Sequence, residues 1–163
     1  MRAAVLTCSD RCARGEAVDT SGPHVVERLR QAGFEVVELG VVPDDAAALG
    51  AVLRRWADEA GVDVIITTGG TGFSPRDVTP EVTLAVVDRR APGIAELIRL
   101  EGLRKTPHAC LSRGEAGLRG TTLIVNLPGS LKAVQDGMDA LLPILPHAVR
   151  MIAGGDHSDA PAR

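Results

Sequence analysis

Val62-Asp63-Val64-Ile65-Ile66-Thr67-Thr68-Gly69-Gly70-Thr71-Gly72-Phe73-Ser74-Pro75-Arg76-Asp77-Val78-Thr79-Pro80-Glu81 joins a β-branched run to a glycine-rich turn and then to a helix start. The run from Val62 to Thr68 is apolar or β-branched at nearly every position, as expected of a strand buried on both faces of a parallel sheet. Thr79, Pro80 and Glu81 fit an N-cap, a first-turn proline and a favourable N-terminal charge. Open α/β sheets bind ligands at the carboxyl ends of their strands, and glycine lets backbone N–H groups approach an anion with no Cβ in the way.

Outward from this stretch the same alternation repeats. Arg2 to Cys8 reads as a first strand that runs into Ser9-Asp10-Arg11, and Gly15 to Pro23 opens a helix ended by Gly33. Phe34 to Val42 is a second strand stopped by Pro43, and Asp44-Asp45 begin a helix with an apolar stripe of Leu49, Val52, Leu53, Trp56 and Ala60. That stripe makes Trp56 a core residue rather than a ligand platform. After Glu81 a helix runs to about Asp88, and Pro92-Gly93 start another through Ile94, Leu97, Ile98 and Leu100. The looser stretch Thr106 to Gly120 holds a short expected strand over Ala109 to Ser112. Thr121 to Asn126 is the last strand, followed by Leu127-Pro128-Gly129-Ser130 and a long helical pattern that Pro143 and Pro146 kink or divide. Residues 1–153 are expected to form one three-layer αβα domain with a mostly parallel sheet, and residues 154–163 a polar, flexible tail. Four strand ends then meet along one edge: Ser9-Asp10, Pro43-Asp44-Asp45, Gly69 to Asp77, and Asn126 to Ser130.

Composition narrows the partners. The chain has 163 residues, 45% of them hydrophobic but only 2% aromatic, so its core is aliphatic and a flat ligand must be held by aliphatic groups and backbone. A net charge of -3 argues against a general nucleic-acid or acidic-membrane surface, and Lys105 and Lys132 are the only lysines. Cys8, Cys12 and Cys110 match neither a CxxC pair nor a zinc-finger spacing and suit a reducing compartment. His24, His108, His147 and His157 show no metal-ligand pairing, and the basic residues from Arg99 to Arg104 read as a solvated helix face. The chain enters a strand almost at once and carries no apolar run of membrane-spanning length, so a cytoplasmic protein is expected.

The glycine loop is not a nucleotide P-loop, because no lysine follows Gly72 in the required position, and it is not a dinucleotide fingerprint, because Phe73-Ser74-Pro75 replaces the third glycine. It reads as a glycine-rich anion site of another kind or as a tight strand-to-helix turn. Asp77 joins Asp44 and Asp45 as carboxylates suited to Mg²⁺, which takes one or two carboxylates plus water and substrate phosphates. Each also has a structural alternative: Asp44 or Asp45 as a helix cap, Asp77 within a turn, Arg76-Asp77 as an ion pair. Ser9-Asp10-Arg11 serves a polar ligand or a strand-exit turn, and Asn126 to Ser130 carries the same two readings beside a helix start.

Together, Ser9-Asp10-Arg11, Gly15-Glu16, Asp19-Thr20-Ser21-Gly22, Pro43-Asp44-Asp45, Gly69 to Glu81, Leu111-Ser112-Arg113 and Asn126 to Ser130 resemble the MoaB/Mog family of molybdenum cofactor biosynthesis proteins. The likeness runs from about Met1 to Ile152 in the family's order, with Leu131 standing where many relatives carry proline. The resemblance implies a three-layer α/β fold assembled as a homotrimer. It also implies an adenylyltransferase that turns molybdopterin and Mg-ATP into adenylyl-molybdopterin and pyrophosphate, with onward transfer to a molybdenum-insertion protein. It matches the catalytic and Mg²⁺-binding aspartates to Asp44 and Asp77. Substrate-binding candidates are Ser9, Asp10, Gly69, Gly70, Thr71, Gly72, Ser74, Ser112, Asn126, Pro128, Gly129 and Ser130. The alternatives are a family member that binds or delivers the pterin without adenylylating it, and a scaffold that uses the fold only to assemble.

Overall fold

Runs of Val, Ile, Leu and Thr set the strands, and the computed structural model, which describes residues 1–154, places them in one mixed sheet. The strands are β1 (Arg2–Cys8), β2 (Glu35–Val42), β3 (Val64–Thr68), β4 (Arg89–Arg90), β5 (Ala116–Arg119) and β6 (Thr122–Leu127). They lie in the order β2-β1-β3-β6-β5-β4. β2, β1, β3 and β6 are mutually parallel, whereas β5 and β4 run antiparallel at one edge. Every residue of β3 and β6 is buried, because helices cover both faces.

The helices are α1 (Asp10–Ala13), α2 (Ser21–Gln31), α3 (Ala46–Glu59), α4 (Thr79–Val86), α5 (Pro92–Leu103), α6 (Leu131–Leu141) and α7 (Leu145–Ile152). Alternate strand residues point to opposite faces and so build two cores. Ala3, Val5, Val64, Ile66 and Val125 pack with Val25 and Leu29 of α2 and Val134, Met138 and Leu141 of α6. Ala4, Leu6, Ile65 and Ile124 pack with Leu49, Leu53 and Trp56 of α3 and Val82 and Val86 of α4. The expected αβα layering and the core role of Trp56 both hold. Pro143 falls in the break between α6 and α7, and Pro146 sits in the first turn of α7.

Two expectations fail. Ala109 to Ser112 is not a strand; residues Pro107–Leu111 form a 3-10 turn and Ser112 follows it. Pro107 fixes the backbone at the turn's start, the Thr106 hydroxyl accepts the His108 N–H, and none of the five residues is buried as a sheet would require. The strand that completes the sheet here is β5, displaced toward the C-terminus. Thr79 is not the cap of α4 either: that position is Val78, and the Thr79 hydroxyl is buried without a hydrogen-bond partner. Of the expected C-terminal tail, residues 155–163 lie outside the described residues.

Candidate functional site

Because β1, β2, β3 and β6 are parallel, the segments leaving their carboxyl ends share one sheet edge, which brings Ser9-Asp10, Asp44, the glycine loop and Pro128-Gly129-Ser130 together. The glycine loop fits because its first two residues lack a side chain. Gly69 and Gly70 have φ of 88° and 63°, in the left-handed region. A Cβ on Gly69 would run into the Cys8 carbonyl, and one on Gly70 would collide with the Thr79 hydroxyl and stand 3.1 Å from Asp44 Oδ1.

The two helix-cap alternatives for Asp44 and Asp45 are now separated. Asp45 Oδ1 accepts the Ala48 N–H at 2.8 Å and caps α3. Asp44 makes a different set of contacts. Its Oδ2 accepts the Asp10 N–H at 2.9 Å, while Oδ1 is buried with no hydrogen-bond partner. Burial, followed by the charges of Asp10 and Asp77, raises the Asp44 pKa above the usual carboxylate value. Asp77 does not pair with Arg76. Its Oδ2 accepts the Ser74 N–H at 2.8 Å within the loop's own turn, and Arg76 instead grips Asp10, with Nε–Oδ2 at 3.0 Å and Nη2–Oδ1 at 2.9 Å. That guanidinium holds the Asp10 carboxyl below its ordinary pKa.

Two adjoining cavities occupy the edge. The larger, about 490 Å³, has a floor of Ile98, Ala109, Leu111, Ala133 and Gly137 and polar walls from Thr71, Asp77, Arg99, His108, Ser112 and Asp136. The smaller, about 290 Å³, is walled by Thr7, Ser9, Cys12, Asp19, Thr20, Ser21, Asp44 and Thr68. Gly70 and Gly129 line both. Each cavity therefore receives one of the two aspartates, Asp77 on the larger side and Asp44 on the smaller.

The remaining expected site residues divide by how their polar atoms are used. Gly69 and Ser9 line the smaller cavity; Thr71, Gly72, Ser112, Pro128 and Ser130 line the larger. Ser9 and Ser130 also cap helices, accepting from Cys12 N and Ala133 N. Asn126 is 3% exposed and lines neither cavity, its amide donating to the Thr67 and Thr83 hydroxyls and accepting from Glu115 N. Ser74 sits on the exposed tip of the loop, its N–H held by Asp77.

Several contributors escape a linear reading. Arg113 ties the loop down: its N–H donates to Thr71 O at 2.9 Å, Nε to Gly72 O at 2.7 Å and Nη2 to Asp77 O at 2.6 Å, while Nη1 pairs with Glu81. Arg99 is half-buried rather than on a solvated face and donates to the Gly114 carbonyl at 2.7 Å. Asp19 accepts from Ser21 N, Gly22 N and the Thr7 hydroxyl, anchoring the start of α2 against the smaller cavity. The Arg113 signal was its place in the Leu111-Ser112-Arg113 motif; for Arg99, one helical residue among several basic ones, no signal distinguished it.

Fold and site thus define an α/β ligand-binding domain whose cleft is built at the strand ends around a glycine loop. The chain matches the family described as "Probable molybdopterin binding domain" over residues 4–147, and it belongs to that family. A MoaB crystal structure from Thermus thermophilus superposes with a TM-score of 0.89 at 52% identity, covering 94% of this chain and 96% of that one. The molybdopterin adenylyltransferase of Helicobacter pylori strain J99 is 38% identical over 152 residues, 92% of this chain and 86% of that protein. The molybdenum cofactor synthesis protein cinnamon of Drosophila melanogaster is 44% identical over 149 residues, 91% of this chain, of which the chain spans only 25% of the length.

Proposed function

We propose that the chain is a molybdopterin adenylyltransferase of molybdenum cofactor biosynthesis. In this reading a terminal phosphate oxygen of molybdopterin attacks the α-phosphorus of ATP, the bond from that phosphorus to the bridging oxygen of the β-phosphate breaks, and pyrophosphate leaves. The observation that carries the reading is the pair of adjoining cavities sharing Gly70 and Gly129, with Asp77 facing one and Asp44 the other. Two substrates held side by side need such an arrangement, because the reaction joins two anions and is accelerated chiefly by holding them in reacting geometry.

The residues fit a hard cation. Asp44 Oδ1 is buried with no hydrogen-bond partner, and burial raises the pKa of this carboxyl, so a cation beside it would restore the charged form. No group of three or more His, Cys, Asp or Glu residues is placed to hold a metal among the described residues, so Mg²⁺ would take Asp44, Asp77, water and substrate phosphates. When bound, the ion would neutralise phosphate charge. The backbone N–H groups of Gly70 to Gly72 and of Gly129 and Ser130 would orient phosphate oxygens, and the aliphatic floor of the larger cavity would exclude water from a ring face.

No helix among the described residues is long and apolar enough to cross a membrane. A cytoplasmic homotrimer that hands its product to a molybdenum-insertion protein completes the proposed reading. The experiment is one incubation of the purified chain with molybdopterin and Mg-ATP, followed by mass-spectrometric detection of the AMP-linked product. Molybdopterin binding without that product would leave the protein as a pterin carrier.

A further inference from the structure

Asp44 is held by a chain of contacts that begins on the glycine loop. Asp10 and Asp44 exchange backbone hydrogen bonds: the Asp10 N–H donates to Asp44 Oδ2 at 2.9 Å, and the Asp44 N–H donates to Asp10 Oδ1 at 3.1 Å. Both oxygens of Asp10 then accept from the Arg76 guanidinium, Nε to Oδ2 at 3.0 Å and Nη2 to Oδ1 at 2.9 Å. Asp10 lines neither of the two cavities. Its carboxylate is spent on the protein, and the consequence falls on Asp44, which has one oxygen tethered and the other left buried and unpartnered.

We propose that Asp10 and Arg76 are positioning residues: a strap from the glycine loop across α1 to the end of β2 that sets the orientation of the Asp44 carboxylate and its separation from Asp77. The inference rests on the adenylyltransferase reading and gives Asp10 a role other than substrate contact. Three features support it. Arg76 directly precedes Asp77, so the fork that fixes Arg76 on Asp10 also fixes the backbone from which Asp77 extends. The bidentate geometry holds an orientation, which a single point-charge contact does not. Arg76 also supplies positive charge that offsets part of the repulsion between Asp10 and Asp44. The alternative is a surface ion pair, since the Arg76 side chain is 60% exposed. Such a pair adds little to stability, so positioning and stability separate experimentally.

The test compares Arg76→Ala, Arg76→Lys and Asp10→Ala with the wild-type protein. For Arg76→Ala, kcat should fall about tenfold, as expected when a reacting group is misplaced by a fraction of an ångström, while the KM for molybdopterin and the thermal midpoint stay at wild-type values. Arg76→Lys, which keeps the charge and loses the fork, should recover only part of the rate. The Arg76→Ala/Asp10→Ala double variant should be no slower than Asp10→Ala alone, as for two members of one network. A readout independent of turnover is Mn²⁺ binding in the presence of ATP, followed by electron paramagnetic resonance, and Arg76→Ala should weaken it several-fold. Wild-type kcat in Arg76→Ala, full recovery by Arg76→Lys, or a raised KM for molybdopterin with unchanged kcat in Asp10→Ala overturns the strap. If Asp10→Ala fails to fold, the two Arg76 variants decide. If the wild-type protein makes no adenylylated product, the functional reading fails, and Mn²⁺ binding judges the strap: equal affinity in wild type and Arg76→Ala, or none in wild type, overturns it.

Discussion

The two cavities differ in kind although they share two glycines. The larger one is floored by Ile98, Ala109, Leu111 and Ala133, groups that offer van der Waals surface to a ring but few hydrogen bonds. The smaller one is walled by the hydroxyls of Thr7, Thr20, Ser21 and Thr68 and by two carboxylates, Asp19 and Asp44, and suits a group carrying oxygens. In the proposed reading this difference separates two occupants, with the chemistry placed where the aliphatic and the hydroxylated halves meet. The aspartates mirror it: Asp44 is anchored through another carboxylate's backbone, whereas Asp77 is fixed by its own turn and by Arg113.

The hardest blow to this arrangement is to silence either carboxylate. Asp44→Asn and Asp77→Asn should each lower adenylyl transfer by roughly 10²-fold or more, the loss typical of removing a preorganised electrostatic group, and normal transfer by Asp77→Asn would sink the proposed mechanism. Next come substitutions that fill one cavity alone. Ala133→Phe should raise the KM for one substrate about tenfold and leave the other, and Thr20→Phe should show the opposite preference. Both variants affecting the same substrate would erase the distinction between the halves. Smaller still is the loosening of the loop: Arg113→Ala should cost about 1–3 kcal/mol in urea denaturation, because the Gly72 and Asp77 carbonyls lose a charged donor.

At neutral pH the weakest effect lies at the wall of the smaller cavity. Burial pushes the Cys8 thiol from its ordinary 9.0 up to about 12. Above pH 9 the unfolded chain releases this proton and the native chain does not, so the stability linked to it is whole below pH 9 and is lost as pH rises to about 12. Cys8→Ala should therefore flatten the decline of stability across that window in denaturation measured at successive pH values.

The parallel half of the sheet was legible because burial on both faces favours near-continuous apolar and β-branched runs, and Val64–Thr68 and, apart from Asn126, Thr122–Leu127 supply them. The antiparallel edge was not. β4 is a pair of exposed arginines and β5 has only four residues, one of them Gly117, so neither displays a period. In the cleft, glycine spacing and paired aspartates showed which segments gather. The partners of Arg76 and Arg113 stayed hidden, because an Arg76–Asp10 contact spans 66 positions and an Arg113 contact to Gly72 O is made with a backbone atom that any residue would provide.

Gly129 lies so near Gly69 that a Cβ there would stand 3.2 Å from the Gly69 Cα. The partition between the cavities at this point is thus made of main chain. Peptide planes have no side-chain rotamers to reshuffle, so the spacing across the partition is settled when the chain folds, and in the proposed reading little entropy remains to be lost when two substrates bind on its opposite sides.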